Sequence, residues 1–230
     1  MLNTRRMRFP IDVIVVCIRW YAAYSLSYRH LKEMMQERGV VVDHSSINRW
    51  ASRFLPLLEM VFRNHKHEVG KSWRMDETYL KVEGAWKYLY RAVDKQGKTA
   101  DFLLTAKRDA SAAGRFFDKA MRHSEVPDTV TTDKSGANKA ALDQLNTQRE
   151  TPIKIRQVEY LSNIVEQDYR AVRRVTRPIL GSKSFRSAQA VLGGIELMHM
   201  MRNGQFMVKG CDSMPFAEKF YALAGQIRPA

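Results

Sequence analysis

Residues 73–94 read WRMDETYLKVEGAWKYLYRAVD, and their pattern predicts the first half of a sheet. Two runs rich in aromatic and β-branched residues, 73–82 and 86–94, flank Glu83-Gly84-Ala85, which is typical of a hairpin turn. A third strand is expected over 98–106, after another glycine-containing turn. The segment therefore predicts three consecutive antiparallel strands.

The chain beyond these strands alternates between helix and strand. Its apolar spacing predicts six further elements: helix 109–123, strand 128–132, helix 136–147, strand 153–159, and helices 163–175 and 184–203. Three antiparallel strands followed by alternating helices and strands indicate an α/β fold. The order is that of a ribonuclease-H-like mixed sheet flanked by helices.

The segment before the sheet has the pattern of helices only. Apolar periodicity predicts helices over 11–23 and 28–38, and a third from Asp43, a favoured capping residue, to about Phe54, where a proline follows. Gly39 is positioned to end the second helix. Two short helices joined by a glycine-containing turn, with a preceding helix to cover them, predict a small all-α helix-turn-helix module.

These patterns predict four regions: a helix-turn-helix module over 1–58, a linker over 59–72, a ribonuclease-H-like core with its C-terminal helices over 73–206, and a C-terminal tail over 207–230. In a helix-turn-helix module the second helix of the pair lies in the major groove of DNA. The exposed face of that helix would carry His44, Ser45, Asn48, Arg49 and Arg53, all able to bond phosphates or base edges. A small helical bundle that packs on the main domain is the alternative.

The charge of the chain favours a polyanionic partner. There are 38 Lys and Arg residues against 24 Asp and Glu, which gives a net charge of +14. Neutralising phosphates releases counterions, so a nucleic acid is the expected partner, with a solvated basic surface or ribosome-like non-specific association as the alternative. Cys17 and Cys211 are the only cysteines, and the apolar run 13–18 is too short for a signal peptide or a membrane span. We therefore expect a cytoplasmic protein with no membrane partner.

Three carboxylates stand at positions where chemistry is expected. Asp76 lies inside the first strand, Asp133 ends the strand 128–132, and Glu166 lies on the helix 163–175. Strand alternation sends Asp76 and Glu77 to opposite faces, so only one of these two can serve a given site. Each acid also has an ordinary interpretation: a surface salt bridge for Asp76, a helix cap for Asp133, and an i,i+4 pair with arginine for Glu166.

Taken together, the three acids favour a metal site. Carboxylates that converge on one point repel each other unless divalent cations hold them. All-oxygen ligation suits Mg²⁺, and two such ions roughly 3.5–4 Å apart clamp the attacking and leaving oxygens of a displacement at phosphorus. We expect two Mg²⁺ ions on Asp76, Asp133 and Glu166, with Mn²⁺ as a substitute and no small-molecule cofactor.

Several short motifs occur in order along most of the chain, from about residue 8 to about residue 206. They include Leu26–Arg29, Glu37–Gly39, Met75–Tyr79, Tyr88–Asp94, Thr132–Lys134, Asn163–Glu166, Gly181–Phe185 and Gly194–Met198. With these motifs the chain resembles a bacterial insertion-sequence transposase of the IS-six type. Members of that family pair a helix-turn-helix with a D,D,E core that is ribonuclease-H-like and retroviral-integrase-like.

The resemblance implies a role for each matching residue. Asp76, Asp133 and Glu166 match the catalytic triad, and Arg173 matches a basic residue that contacts DNA seven positions after the glutamate. Beyond the resemblance, three further arginines on or just after the predicted helix 163–175 are expected to hold the DNA backbone: Arg170, Arg174 and Arg177. The chain departs from the family pattern in its short interval of 32 residues between Asp133 and Glu166, and in Ser162 and Tyr169, which replace an Asn and a His.

The implied function is transposition. The protein would bind the terminal inverted repeats of an insertion sequence and catalyse metal-dependent cleavage and strand transfer. Because an element has two ends, a homodimer or a larger assembly on DNA is expected. A stand-alone nuclease of the ribonuclease-H type and a non-catalytic DNA-binding regulator are the alternatives.

Overall fold

The structure, a computed structural model, describes residues 8–158, 184–207 and 214–226. The chain forms two compact units. The first unit contains the helices that precede the sheet together with two helices from the C-terminal part of the chain. The second unit contains the sheet and two helices that connect its strands.

The second unit is built on a five-stranded sheet with the order β3-β2-β1-β4-β5. Its strands are β1 (Ser72–Val82), β2 (Ala85–Val93), β3 (Thr99–Thr105), β4 (Thr129–Thr132) and β5 (Lys154–Gln157). The first three strands pair antiparallel, whereas β4 pairs parallel with both β1 and β5. This arrangement confirms the predicted ribonuclease-H-like mixed sheet.

The β1–β2 hairpin turns through two residues. Glu83 and Gly84 both have positive φ, 52° and 77°. Two consecutive positive φ values define the type I′ turn, whose twist matches the right-handed twist of the strands that it joins. The prediction assigned Ala85 to the turn, but in the structure Ala85 is the first residue of β2 and pairs with Val82.

Helices α4 (Ala110–His123) and α5 (Gly136–Asn146) pack on one face of the sheet. Asp109 begins α4, because its side chain accepts the Ala112 N–H at 2.7 Å. The core on this face combines the sheet and both helices through Trp73, Met75, Tyr90, Ala92, Val130, Phe116, Phe117, Ala141 and Leu142.

The buried face of β1 changes along the strand. Trp73 and Met75 are buried before the change, and Thr78, Leu80 and Val82 are buried after it. Successive side chains of a strand point to opposite faces, so the first group and the second group face different sides of the sheet. Asp76 and Glu77 occupy the point of change.

The first unit begins with the three predicted helices, α1 (Ile11–Ala23), α2 (Tyr28–Gln36) and α3 (His44–Arg63). Gly39 follows α2 with a φ of 73°, and the Gly39 and Val40 N–H groups bond the Gln36 and Met35 carbonyls, each at 2.9 Å. These two bonds are those of a Schellman motif. The Asp43 side chain accepts the Ser45 N–H at 3.0 Å. The predicted stop at Gly39 and the predicted cap at Asp43 are confirmed.

Helix α1 contains the apolar run near the start of the chain. Ile14, Cys17 and Ile18 are fully buried, as expected for a helix that packs in a protein core. Among the described residues, no helix combines the length and the apolar character needed to cross a bilayer.

The predicted end of the third helix at Phe54 is wrong. Helix α3 continues through Pro56 to Arg63. A proline inside a helix removes one hydrogen bond and disfavours the helix by about 3 kcal/mol. The apolar face nevertheless continues beyond it, with Leu58 and Phe62 both buried. Burial of these two side chains, at roughly 1.5–3 kcal/mol each, offsets the effect of the proline.

The C-terminal helices also differ from the prediction. Helix α6 (Phe185–Arg202) packs against α1 and α3 in the first unit, although it was assigned to the core over 73–206. Helix α7 (Phe216–Gly225) lies in the predicted tail, and Phe220 in it is fully buried. The predicted linker 59–72 begins inside α3. The predicted helix 163–175 lies outside the described residues.

Two glycines allow α6 to approach α3 closely. A Cβ atom added at Gly194 would lie 2.5 Å from Leu55 Cδ2 and 2.9 Å from Leu55 Cδ1, and one added at Gly193 would lie 2.5 Å from Glu59 Oε2. Leu55 is fully buried, so its side chain has little room to move. Side chains larger than hydrogen are therefore excluded at Gly194 unless the helices separate.

Replacing Gly194 with alanine is expected to destabilise the protein by about 1–3 kcal/mol, because the added methyl overpacks against Leu55. The matched control is Gly114→Ala in α4, where an added Cβ meets nothing within 4 Å. That change should stabilise the protein by about 0.5–1 kcal/mol through helix propensity alone. Urea unfolding followed by circular dichroism measures both. Equal stabilisation by the two alanines would contradict the close contact.

Candidate active site

Asp76 and Asp133 occupy equivalent positions on neighbouring parallel strands. Arg74 of β1 lies opposite Thr131 of β4. Asp76 and Asp133 each follow these partners by two residues, and β4 ends one residue before Asp133. Parallel neighbours lie about 4.8 Å apart in the direction of their hydrogen bonds. The register therefore brings the two predicted acids to neighbouring positions where β4 ends beside β1.

Asp76 is anchored within β1 and faces a buried arginine across the hairpin. Its Oδ1 accepts the Glu77 N–H at 2.7 Å. Its partner in the β1–β2 register is Arg91, which is 1% exposed and donates from Nη2 to Thr99 Oγ1 at 2.7 Å. Opposite charges directly across a strand pair stabilise the sheet. Arg91 therefore supplies positive charge on the face that carries Asp76.

Asp133 is held at the start of α5. Its Oδ1 accepts the Ser135 N–H at 3.2 Å and the Asn138 Nδ2 donor at 3.3 Å. Asp133 is not the N-cap of α5, a position that Ser135 occupies; the Asp133 side chain instead closes a turn just ahead of the helix. Its Oδ2 lies 3.6 Å from Arg108 Nη2, so its two oxygens have different neighbours.

Glu77 pairs with the same arginine as Asp133, although the sequence analysis assigns the metal-binding role to Asp76. Its side chain is 3% exposed, and its Oε2 accepts a hydrogen bond from Arg108 Nε. Burial raises the pKa of the Glu77 carboxyl above its ordinary value, while the Asn138 amide and the Arg108 guanidinium act in the opposite direction. Strand alternation indicated that Asp76 and Glu77 point to opposite faces of the sheet. It did not indicate that Arg108 connects Glu77 to Asp133.

Arg108 joins the members of this cluster. Besides Glu77 and Asp133, it donates from Nη1 to the Tyr79 hydroxyl at 2.9 Å. The arginine precedes α4 in a stretch with no sequence signal beyond its own charge, which explains why the prediction missed it. Glu77, Arg108, Asp133 and Asn138 form a connected polar network beside Asp76, and this set is called the Arg108 cluster below.

The remaining predicted members of the acidic site lie outside the described residues. These are Glu166 and the four arginines that follow it, Arg170, Arg173, Arg174 and Arg177. Over the described ranges, no group of three or more metal-ligating side chains occurs. The two aspartates nevertheless offer hard carboxylate oxygens at neighbouring positions of the sheet, and this donor chemistry fits Mg²⁺.

The predicted DNA-contact residues of α3 share one exposed face. Ile47, Ala51 and Phe54 are buried and fix the orientation of the helix. The side chains opposite them are exposed: His44, Ser45, Asn48, Arg49 and Arg53. Arg49 also donates to Ser46 Oγ at 3.0 Å. This half of α3 therefore presents hydrogen-bond donors and positive charge to solvent.

Removing the arginine of the cluster should destabilise the protein in a pH-dependent way. Arg108→Leu leaves the buried Glu77 carboxylate without its cation, which we expect to lower the free energy of unfolding by about 1–2 kcal/mol near neutral pH. Because Glu77 then binds a proton more tightly in the folded state than in the unfolded state, the loss should grow as pH rises from about 5 to about 8. Urea unfolding at both pH values measures this dependence.

The double variant Glu77→Gln/Arg108→Leu provides the control. It has no carboxylate at position 77, so its loss of stability relative to the single variant Glu77→Gln should not depend on pH in this range. A pH-independent loss in the Arg108→Leu single variant would show that Arg108 does not act on Glu77.

Comparison with known proteins identifies the family. A family model described as a DDE domain matches residues 70–205. The chain is 35% identical over 199 residues to a transposase for the insertion sequence-like element IS431mec of Staphylococcus aureus strain Mu50, covering 86% of this chain and 87% of that protein. Identity and coverage are the same for the transposase of IS257 in transposon Tn4003 of Staphylococcus aureus.

Among solved structures, similarity is found to the catalytic core of HTLV-2 integrase in complex with magnesium, in its trimeric form. The TM-score is 0.45 at 16% identity, over 56% of this chain and 86% of that chain. The catalytic core of BIV integrase gives a TM-score of 0.43 at 12% identity, over 69% of this chain and 98% of that chain. From the family model and the transposases, the chain belongs to the DDE transposases of insertion sequences of the IS-six type.

Proposed function

We propose that this transposase cleaves and joins DNA through Asp76, Asp133 and Glu166 after binding the terminal inverted repeats of its element. The observation that carries the proposal is the β1–β4 register, which brings two of these acids to neighbouring positions in a chain of this family. Glu166 follows β5 in sequence. We assign it as the third acid because it matches the family pattern in the segment Asn163–Glu166.

The acids are proposed to hold two Mg²⁺ ions, with Mn²⁺ able to replace them. Such ions supply the positive charge that activates an attacking oxygen and stabilises a leaving one. The contribution of the protein is to fix the carboxylates before substrate arrives. Asp133 is fixed through the Ser135 N–H and the Asn138 side chain, and Asp76 through the Glu77 N–H.

The proposed chemistry has two displacements at phosphorus. In the first, water attacks the phosphate at the end of the element, and the broken P–O bond leaves a free 3′-hydroxyl. In the second, that 3′-hydroxyl attacks a phosphate of target DNA, whose own 3′-oxygen leaves. Neither step requires a covalent bond to the enzyme, because alignment and charge stabilisation lower the barriers.

Recognition of the repeats is proposed for the N-terminal module over 1–58. The exposed face of α3 would enter the major groove and use Ser45, Asn48, Arg49 and Arg53 for contacts with bases and phosphates. Downstream of Glu166, a second set of contacts to the DNA backbone is assigned to Arg170, Arg173, Arg174 and Arg177. The net charge of +14 supports both assignments.

Two element ends must be handled together, so we propose that a homodimer or a larger assembly forms on double-stranded DNA. The substrates are the element ends and target DNA, and we accordingly assign the protein to the bacterial cytoplasm, associated with the nucleoid when bound to DNA. Neither a membrane nor a small-molecule cofactor enters the proposed reaction.

Asp76→Asn should abolish cleavage and strand transfer while leaving DNA binding within about twofold, since a neutral amide is a poor ligand for a hard cation. Asp118→Asn, on an exposed position of α4, is the matched control and should keep activity. The assay incubates each protein with a DNA fragment carrying the terminal repeat, with and without Mg²⁺, and Glu166→Gln tests the third acid. Binding without cleavage in the wild-type protein would favour a regulator, and cleavage without joining would favour a nuclease.

Arg49→Ala is expected to weaken binding to the terminal repeat. If Arg49 contacts a phosphate, the slope of log Kd against log salt concentration should fall by about one unit, with a similar loss on unrelated DNA. If it reads a base, the loss should be about 1–3 kcal/mol and confined to the repeat. Fluorescence anisotropy across a salt series distinguishes these results. Unchanged binding to both DNAs would remove α3 from the interface.

A further inference from the structure

The β1–β2 hairpin exposes an aromatic surface beside the Arg108 cluster. Trp86 is 60% exposed and Tyr79 is 47% exposed. The Tyr79 ring packs edge-to-face on Trp86, with centroids 6.5 Å apart, and on Tyr88 at 5.4 Å. Large aromatic side chains that form a contiguous exposed patch mark an interaction surface more often than isolated ones do.

The exposed rings lie on the same face of the sheet as aromatic residues of the buried core. In the β1–β2 register, Tyr79 lies opposite Tyr88, and Lys81 lies opposite Trp86. One step back, the same face carries Tyr90, which is fully buried in the core under α4 and α5. The hairpin therefore carries an aromatic face from the core out to solvent.

Positive charge frames the exposed rings. Lys81 Nζ lies 5.9 Å from the centre of the Trp86 ring, and Arg108 Cζ lies 6.0 Å from the centre of the Tyr79 ring. Aromatic faces interleaved with cations suit a ligand that combines flat rings with negative charge.

The surface is continuous with the acidic site. Arg108 bonds the Tyr79 hydroxyl and also lies 3.6 Å from Asp133 Oδ2. Asp76 and Tyr79 leave β1 on opposite faces, so the connection to the acidic site runs through Arg108, which extends from the Tyr79 hydroxyl to Asp133.

We propose that Tyr79, Trp86 and Tyr88, with Lys81 and Arg108, bind unpaired bases of the DNA strand next to the phosphate that is cut. Bases inside a duplex are stacked on each other and offer no free faces, so this surface accepts only nucleotides that have left the duplex. Aromatic stacking is tolerant of sequence, because every base has a flat face. The proposal rests on the proposed function, since it takes the cut phosphate to lie at Asp76 and Asp133.

The test compares binding of the full-length protein to two fluorescently labelled duplexes of the same length, measured by anisotropy in EDTA so that no cleavage occurs. One duplex is fully paired, and the other carries a short central run of thymine–thymine mismatches. The wild-type protein should bind the mismatched duplex about tenfold more tightly. Trp86→Ala should remove this preference without changing the affinity for paired DNA, whereas Trp86→Phe should keep it.

Val126→Ala is the matched control, because Val126 is an exposed apolar residue that precedes β4, at the opposite end of the sheet. It should keep the preference for mismatched DNA. No preference in the wild-type protein, or a preference that survives in Trp86→Ala, would overturn the proposal. A change in oligomeric state of Trp86→Ala during sedimentation, with the preference intact, would assign the surface to a second copy of the chain instead.

Cleavage in Mg²⁺ is scored separately on the same DNAs. Cleavage without any preference for mismatches would reject the base-binding surface and leave the proposed function intact. A preference that depends on Trp86, with no cleavage under any metal condition, would support the surface and reject the proposed chemistry.

Discussion

The parallel pairing of β1 with β4 is the constraint on which the candidate site depends. Asp76 and Asp133 are far apart in the sequence, and they occupy neighbouring positions in the sheet because Arg74 lies opposite Thr131. A slip of one residue would send one of the two acids to the other face. The register is protected by burial, since Trp73 and Val130 are paired and both are fully buried in the core beneath α4 and α5.

The sequence predicted those elements whose signal is local. The strands, the Gly39 stop and the Asp43 cap follow from residue types at short spacing, and all three are observed. Features that depend on distant packing were missed. Helix α3 passes through Pro56 because buried residues continue its apolar face, and α6 joins the first unit because its glycines fit against α3. Arg108 was missed for the same reason, as its partners lie elsewhere in the sequence.

The two adjacent acids of β1 have different surroundings. Asp76 is half-buried and faces Arg91, whereas the side chain of Glu77 is enclosed and bonded to Arg108. The Asp133 charge disfavours the ionised form of Glu77, and the guanidinium shared between Glu77 and Asp133 acts in the opposite direction. One arginine thus serves as the cation for two carboxylates of the Arg108 cluster.

The close packing of α6 on α3 affects the order in which the two units can fold during synthesis. The helices of the first unit come from before and after the sheet in the sequence, and Leu55 can contact Gly194 only after the sheet strands have been synthesised. The sheet unit is contiguous up to β5 and has all its strands available earlier. During synthesis, the sheet can therefore fold while α1–α3 still expose the apolar side chains that α6 will cover. Helices α1–α3 are made before the sheet, yet their packing is completed after it.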